Sequence, residues 1–188
     1  MIHETILALI PICALDVAPN TIAQIIRVES EGNLLAINVN GLGKAVRAGS
    51  QKEAAELTRH YIGKGYSVDV GLMQVNSSNF ASLGYSSERI EELFEPCANI
   101  TAGSQILKQF YAKSKAAHDD SAQALRGAIS AYNTGSFTRG VKNGYVGKVY
   151  NGKAVATSAT NSQLAQALQA PTAINIDGVI PTNIPNKE

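Results

Sequence analysis

The chain is poor in charge. Asp, Glu, Lys and Arg make up 16% of its 188 residues, and the formal net charge is +1. A surface that grips nucleic acid or adsorbs strongly to a membrane needs clustered Lys and Arg, so no nucleic-acid partner is expected. Long apolar runs are also missing. Near the start, Ile6 to Leu15 is about ten residues long and contains Pro11, too short to span a bilayer, so no stable membrane insertion is expected. The same run makes a poor signal peptide, because no Lys or Arg precedes it and Glu4 stands where positive charge belongs. It makes no lipidation signal either, since Pro11 and Ile12 replace the small residues that precede a lipidated cysteine. The route of export is therefore not evident in this chain. Cysteine is scarce: Cys13 and Cys97 stand alone, and neither is spaced from another Cys or His as zinc ligands are. No metal and no cofactor is expected. The pair is either two buried free thiols or one disulfide, which would close a loop worth about 4 kcal/mol in the chain-entropy model.

What is present is helical patterning over a length that suits one domain with a sizeable core. Pro19 opens a helix in which Ile22, Ile25, Ile26 and Glu29 share a face. Ser50 to Glu53 reads as a capping box, followed by Ala54, Leu57 and Tyr61, with Gly63 and Gly65 stopping the helix. Residues 66–76 (YSVDVGLMQVN) have the alternation and β-branching of a short strand or turn region. Ser87 is expected to cap a short helix through Phe94. A longer helix is predicted from about Ala98 to Lys113, with Ile100, Gly103, Ile106, Leu107 and Phe110 inward. Asp119 or Asp120 caps another in which Leu125, Ile129 and Tyr132 share a face, and Gly135 ends it. From about Lys153 the composition shifts to Ala, Thr, Ser, Asn and Gln with scattered Pro, the signature of a flexible tail. The expected division is a folded domain over 1–152 and a low-complexity tail over 153–188. No internal repeat is visible.

Three polar groups break the core pattern. Glu29 ends one inward face, Asp69 lies between Val68 and Val70 with Gly71, Gln74 and Asn76 close by, and Tyr132 and Asn133 end another inward face. Taken singly, each reads as ordinary: a solvated helix end, a turn cap, a core tyrosine. Together they differ, because a partly buried carboxylate with polar partners from other segments suits general-acid work.

VES at 28–30, GLMQVNSSN at 71–79 and SAYNTG at 130–135, in this order, resemble the three motifs of the lytic transglycosylases of the lysozyme-like superfamily. The VDVGLMQVNS wording, the cysteines before the first helix and in FEPCANI, and GYVGKVY at 144–150 look more narrowly like the small transglycosylases encoded with type IV secretion systems. The likeness covers about residues 12–150 and leaves out the tail. It implies a mainly α, lysozyme-like fold with a small β region at about 66–76. It also implies peptidoglycan glycan strands as substrate, secretion-system components as partners, a periplasmic setting and a monomer. An oxidising compartment in turn favours a Cys13–Cys97 disulfide.

Residue by residue, the resemblance makes Glu29 the acid and base. Ser30, in the same motif, would bind substrate. Gly71, Met73 and Gln74 would line the sugar cleft, with Gln74 offering its amide to an acetamide or hydroxyl and Asn76 beside it. Tyr132 would bring its hydroxyl near Glu29 or the N-acetyl group, with Asn133 supporting it. Asp69 sits where hydrolysing lysozymes that resemble this segment carry a second carboxylate. Two reactions thus stay open: anhydro-forming cleavage with an auxiliary Asp69, or hydrolysis by a Glu29–Asp69 pair. A third reading is an idle glycan-binding scaffold, which has no need of a buried acid.

Overall fold

The computed structural model of the chain describes residues 2–152, so the expected tail lies outside the described residues. Ten described helices and strands are numbered in chain order. They are α1 (Glu4–Cys13), α2 (Pro19–Glu29), β1 (Ile37–Val39), α3 (Gln51–Gly63), β2 (Val68–Val70), β3 (Val75–Asn76), α4 (Pro96–Lys115), α5 (Ser121–Thr134), α6 (Arg139–Lys142) and α7 (Tyr145–Tyr150). The protein is mainly α, with one small sheet, as the lysozyme-like expectation requires. Among the described residues no helix is long and apolar enough to cross a membrane.

Local chemistry sets most helix ends. Pro19 and Pro96 open α2 and α4, where a missing N–H costs nothing. Ser50 Oγ accepts from the Glu53 N–H at 3.2 Å, while Glu53 reaches back to the Gly49 N–H rather than to that of Ser50. Asp120, not Asp119, caps α5, accepting from Ala122 and Gln123 N–H. Gly135 ends α5 at φ 68°. One expectation needs correcting: Ser87 caps nothing, and residues 87–94 form 3₁₀ turns that follow Ser86. The apolar run that is too short for a membrane lies mostly in α1, which packs on α2 and α4.

Ile22, Ile25 and Ile26 on α2 have no exposed surface. Burying each contributes about 1.5–3 kcal/mol, so this face anchors the helix that ends in Glu29. Cys13 and Cys97 form a disulfide across 84 residues of chain, joining the end of α1 to the start of α4. A loop that long gives about 4–5 kcal/mol in the chain-entropy model. Thr101 Oγ1 donates to the Cys13 carbonyl at 3.0 Å and satisfies an end of α1 that would otherwise lack a partner.

The sheet is antiparallel in the order β1-β2-β3, with Asn38 opposite Asp69 and Asp69 opposite Asn76. Because side chains alternate faces, this register gathers two rows. Ile37, Val70 and Val75 form one row and are buried in the core. Asn38, Asp69 and Asn76 form the other. The sheet is therefore a plate with an apolar back and an amide-and-carboxylate front.

Candidate active site

A cleft of about 860 Å³ opens over that front. Its lining includes Glu29, Asn38, Asp69, Gln74 and Asn76 on one side and Asn133, Arg139 and Lys142 on the other. Glu29 reaches it as the last residue of α2, partly exposed where the isoleucine face runs out. The hydroxyl of Tyr145 donates to Glu29 Oε1 at 2.5 Å. Burial first, then the Glu29 charge and this hydrogen bond, push the Tyr145 hydroxyl well above its usual range, so it stays a donor.

Three side chains position Tyr145. Asn143 Oδ1 caps its N–H at 3.0 Å, and Asn143 in turn donates to Asn133 Oδ1 at 3.1 Å. Arg27, on α2, donates to Gln24 and to the Lys148 carbonyl at 2.5 Å, clasping α7 against the helix that carries Glu29. Asn133 thus supports the start of α7, where the sequence suggested support for Tyr132.

Tyr132 is buried and donates to the Met73 carbonyl at 2.8 Å. Burial, then the charges of Glu29 and Asp69, hold its hydroxyl well above the usual range. Its hydroxyl therefore lies within electrostatic reach of both carboxylates while it fixes the 71–75 turn.

Asp69 is buried and well satisfied. Oδ1 accepts from Asn76 at 2.7 Å, and Oδ2 accepts from Asn38 at 3.2 Å and Asn40 at 3.0 Å. An ionised carboxylate only accepts, so it fixes all three amides with nitrogen inward. Asn76 shares its nitrogen with Ser67 Oγ at 2.7 Å.

The turn between β2 and β3 corrects three expectations. Met73 does not line the cleft with its side chain, which is fully buried against Gly103, where a Cβ would sit 2.6 Å from the Met73 sulfur. Gly71 does not line it either. It is buried at φ +74°, and a Cβ there would lie 2.1 Å from the Asn99 amide nitrogen. Ser30 spends its hydroxyl on the Leu72 carbonyl at 2.7 Å, pinning the end of α2 to the turn. These residues shape the wall instead of touching the cleft. Gln74 does reach it, held at φ 49°, a strained value for a residue with a side chain. Its Nε2 donates to the Gly71 carbonyl at 3.0 Å and the Ala36 carbonyl at 3.3 Å. Both partners are acceptors, so the nitrogen is unambiguous and Oε1 is left for a ligand.

Tyr145 and Asn99 are among the functional residues that escaped the sequence reading. Tyr145 lay in the quoted GYVGKVY stretch with no role assigned. Asn99 is buried and holds the turn by accepting from the Met73 N–H at 2.8 Å and donating to the Val70 and Leu93 carbonyls at 3.0 and 2.8 Å.

The sequence profile of the Transglycosylase SLT domain matches residues 10–154, which span both walls of this cleft. The chain belongs to that family. Over 137 residues it is 42% identical to the protein virB1 of Agrobacterium fabrum (strain C58), covering 73% of this chain and 54% of that relative. Over 148 residues it is 37% identical to the type IV secretion system protein virB1 of Brucella abortus biovar 1, covering 78% and 60%. The chain thus spans a little over half the length of these relatives. No solved structure matches it.

Proposed function

We propose that this SLT domain is a lytic transglycosylase that cuts the β-1,4 bond between N-acetylmuramic acid and N-acetylglucosamine in peptidoglycan. The observation that carries the reading is Glu29 at the rim of an apolar helix face, lining a polar cleft with a tyrosine hydroxyl on its Oε1. Glu29 gives its proton to the glycosidic oxygen as the C1–O bond breaks. The substrate's own acetamide oxygen meets the charge at C1. Glu29, now ionised, takes the proton of the muramic C6 hydroxyl, whose oxygen displaces the acetamide and closes a 1,6-anhydro ring. No water is consumed. Gln74 Oε1 accepts from a sugar hydroxyl or acetamide N–H.

Asp69 supports an auxiliary place in this scheme. A nucleophile or water-activating base needs an oxygen aimed at the sugar, whereas both Asp69 oxygens already accept amide hydrogens. Hydrolysis by a Glu29–Asp69 pair is the second reading, favoured by the presence of both carboxylates on one cleft. Residues 1–152 form the catalytic unit, and the segment from 153 is dispensable for cleavage. The setting is the periplasm, where local wall opening serves a secretion apparatus, and the working form is a monomer.

Digestion of purified sacculi followed by mass spectrometry tests the reading. Products should lack one water relative to reducing-end muropeptides, and Glu29→Gln should release none. Reducing ends from the wild type would make the enzyme a hydrolase. No release at all would leave only a binding scaffold.

A further inference from the structure

The two walls of the cleft differ in charge in a way that bond cleavage does not use. The sheet side carries amides and the Asp69 carboxylate. The opposite side carries Arg139 and Lys142, the first and last residues of α6. Arg139 is fixed in place, donating from Nη2 to the Thr134 carbonyl at 2.6 Å and from its backbone N–H to Ser136 Oγ at 3.3 Å. Lys142 is exposed and lines the same wall. Among the described residues neither enters an ion pair; the pairs there are Arg89–Glu92 and Lys108–Asp16. Both cations, lacking a carboxylate partner among the described residues, face a cleft whose ligand, if made of N-acetylglucosamine alone, would be neutral.

We propose that Arg139 and Lys142 form an anion subsite that takes a carboxylate carried by the muramyl residue. The inference rests on the reading of the cleft as a peptidoglycan-cleaving site. In an alternating glycan only every second sugar bears a 3-O-lactyl group, and that group or its attached peptide supplies the only carboxylates. A cationic wall therefore tells the two sugars apart. Seating the muramyl residue against α6 sets which of the two alternating β-1,4 bonds lies over Glu29. Arginine presents a planar fork to carboxylate, and lysine adds a mobile point charge. Lys142 and Arg139 are thus specificity-determining residues, acting on register rather than on the bond itself.

Binding to the full chain carrying Glu29→Gln, which holds glycan without cutting it, separates the possibilities. Three soluble ligands of equal length serve in calorimetry: peptide-bearing strands, amidase-stripped strands with free lactyl carboxylates, and neutral N-acetylglucosamine oligomers. Lys142→Met should weaken binding of a carboxylate-bearing strand about tenfold more than binding of the neutral oligomer, the change expected for one charge-assisted hydrogen bond. Lys142→Glu should widen the gap, and Lys142→Arg should close it. A gap confined to peptide-bearing strands assigns the carboxylate to the peptide; a gap also seen on stripped strands assigns it to the lactyl group. Equal loss on all three ligands, with a wild type that still cleaves sacculi, overturns the subsite alone. A wild type that releases nothing from sacculi overturns the cleavage reading and the subsite with it.

Discussion

Tyr145 and Glu29, 116 residues apart in the chain, meet at 2.5 Å through the phenol hydroxyl and Oε1. The ring of Tyr145 is buried, so Tyr145→Phe keeps the packing and removes only the donor. Muropeptide release should fall about tenfold to a hundredfold, the range for one oriented hydrogen bond to a charged group. Thermal unfolding should move by only a few degrees. A rate near the wild-type level would show the hydroxyl to be idle.

Asp69→Asn places a group with its own N–H donors among three amides that already donate. The amide plate loses its orientation, and release should slow substantially while the 1,6-anhydro product stays the same. Anhydro ends giving way to reducing ends, or a rate equal to wild type, would each contradict an auxiliary, orienting Asp69.

Asn99→Leu keeps the branched shape but removes three buried hydrogen bonds, those to the Met73 N–H and the Val70 and Leu93 carbonyls. At about 1 kcal/mol for each lost hydrogen bond, denaturant unfolding should show a loss of roughly 3 kcal/mol. Stability within 1 kcal/mol of wild type would mean, on the same scale, that water replaces the amide.

Alkaline pH should destabilise the fold through its buried tyrosines. An unfolded tyrosine loses its proton near pH 10, whereas burial, with Glu92 adding to it, pushes Tyr85 up to about 12. Between those values only the unfolded chain releases the proton. Stability present in full below pH 10 is then lost as pH rises through 12. Tyr132 and Tyr145, raised well above 10, extend the loss further. Urea unfolding at pH 8, 10 and 11.5 checks this, and an unchanged midpoint across the series would contradict it.

Much of the helical frame was legible because its signals are local. Pro19, Ser50, Asp120 and Gly135 act within a turn of where they stand, and the isoleucine stripe leading to Glu29 needs only a period of 3.6 residues. The sheet was half legible. VDV and QVN show β-branching, but β1 is three residues long, too short for alternation to show, and only its pairing with β2 brings Asn38 and Asn40 to Asp69. Met73 misled because a motif residue can act through its carbonyl while its side chain fills the core. Tyr145 and Asn99 were invisible for one reason: each acts through partners far along the chain, and no local pattern encodes which distant backbone a side chain will meet.

The disulfide has a topological consequence for the cleft. Residues 13 to 97 form a covalent ring. That ring encloses Glu29, Asn38, Asp69 and Gln74, the acid and the whole amide plate. Tyr132, Arg139, Lys142 and Tyr145 all lie beyond its closure. The cleft is therefore a seam between a cross-linked half and an open-chain half, and its two banks are stitched only by noncovalent ties such as Tyr132 to Met73, Arg27 to Lys148 and Tyr145 to Glu29. Loosening those stitches parts the acid from its phenol while the amide plate stays inside its ring.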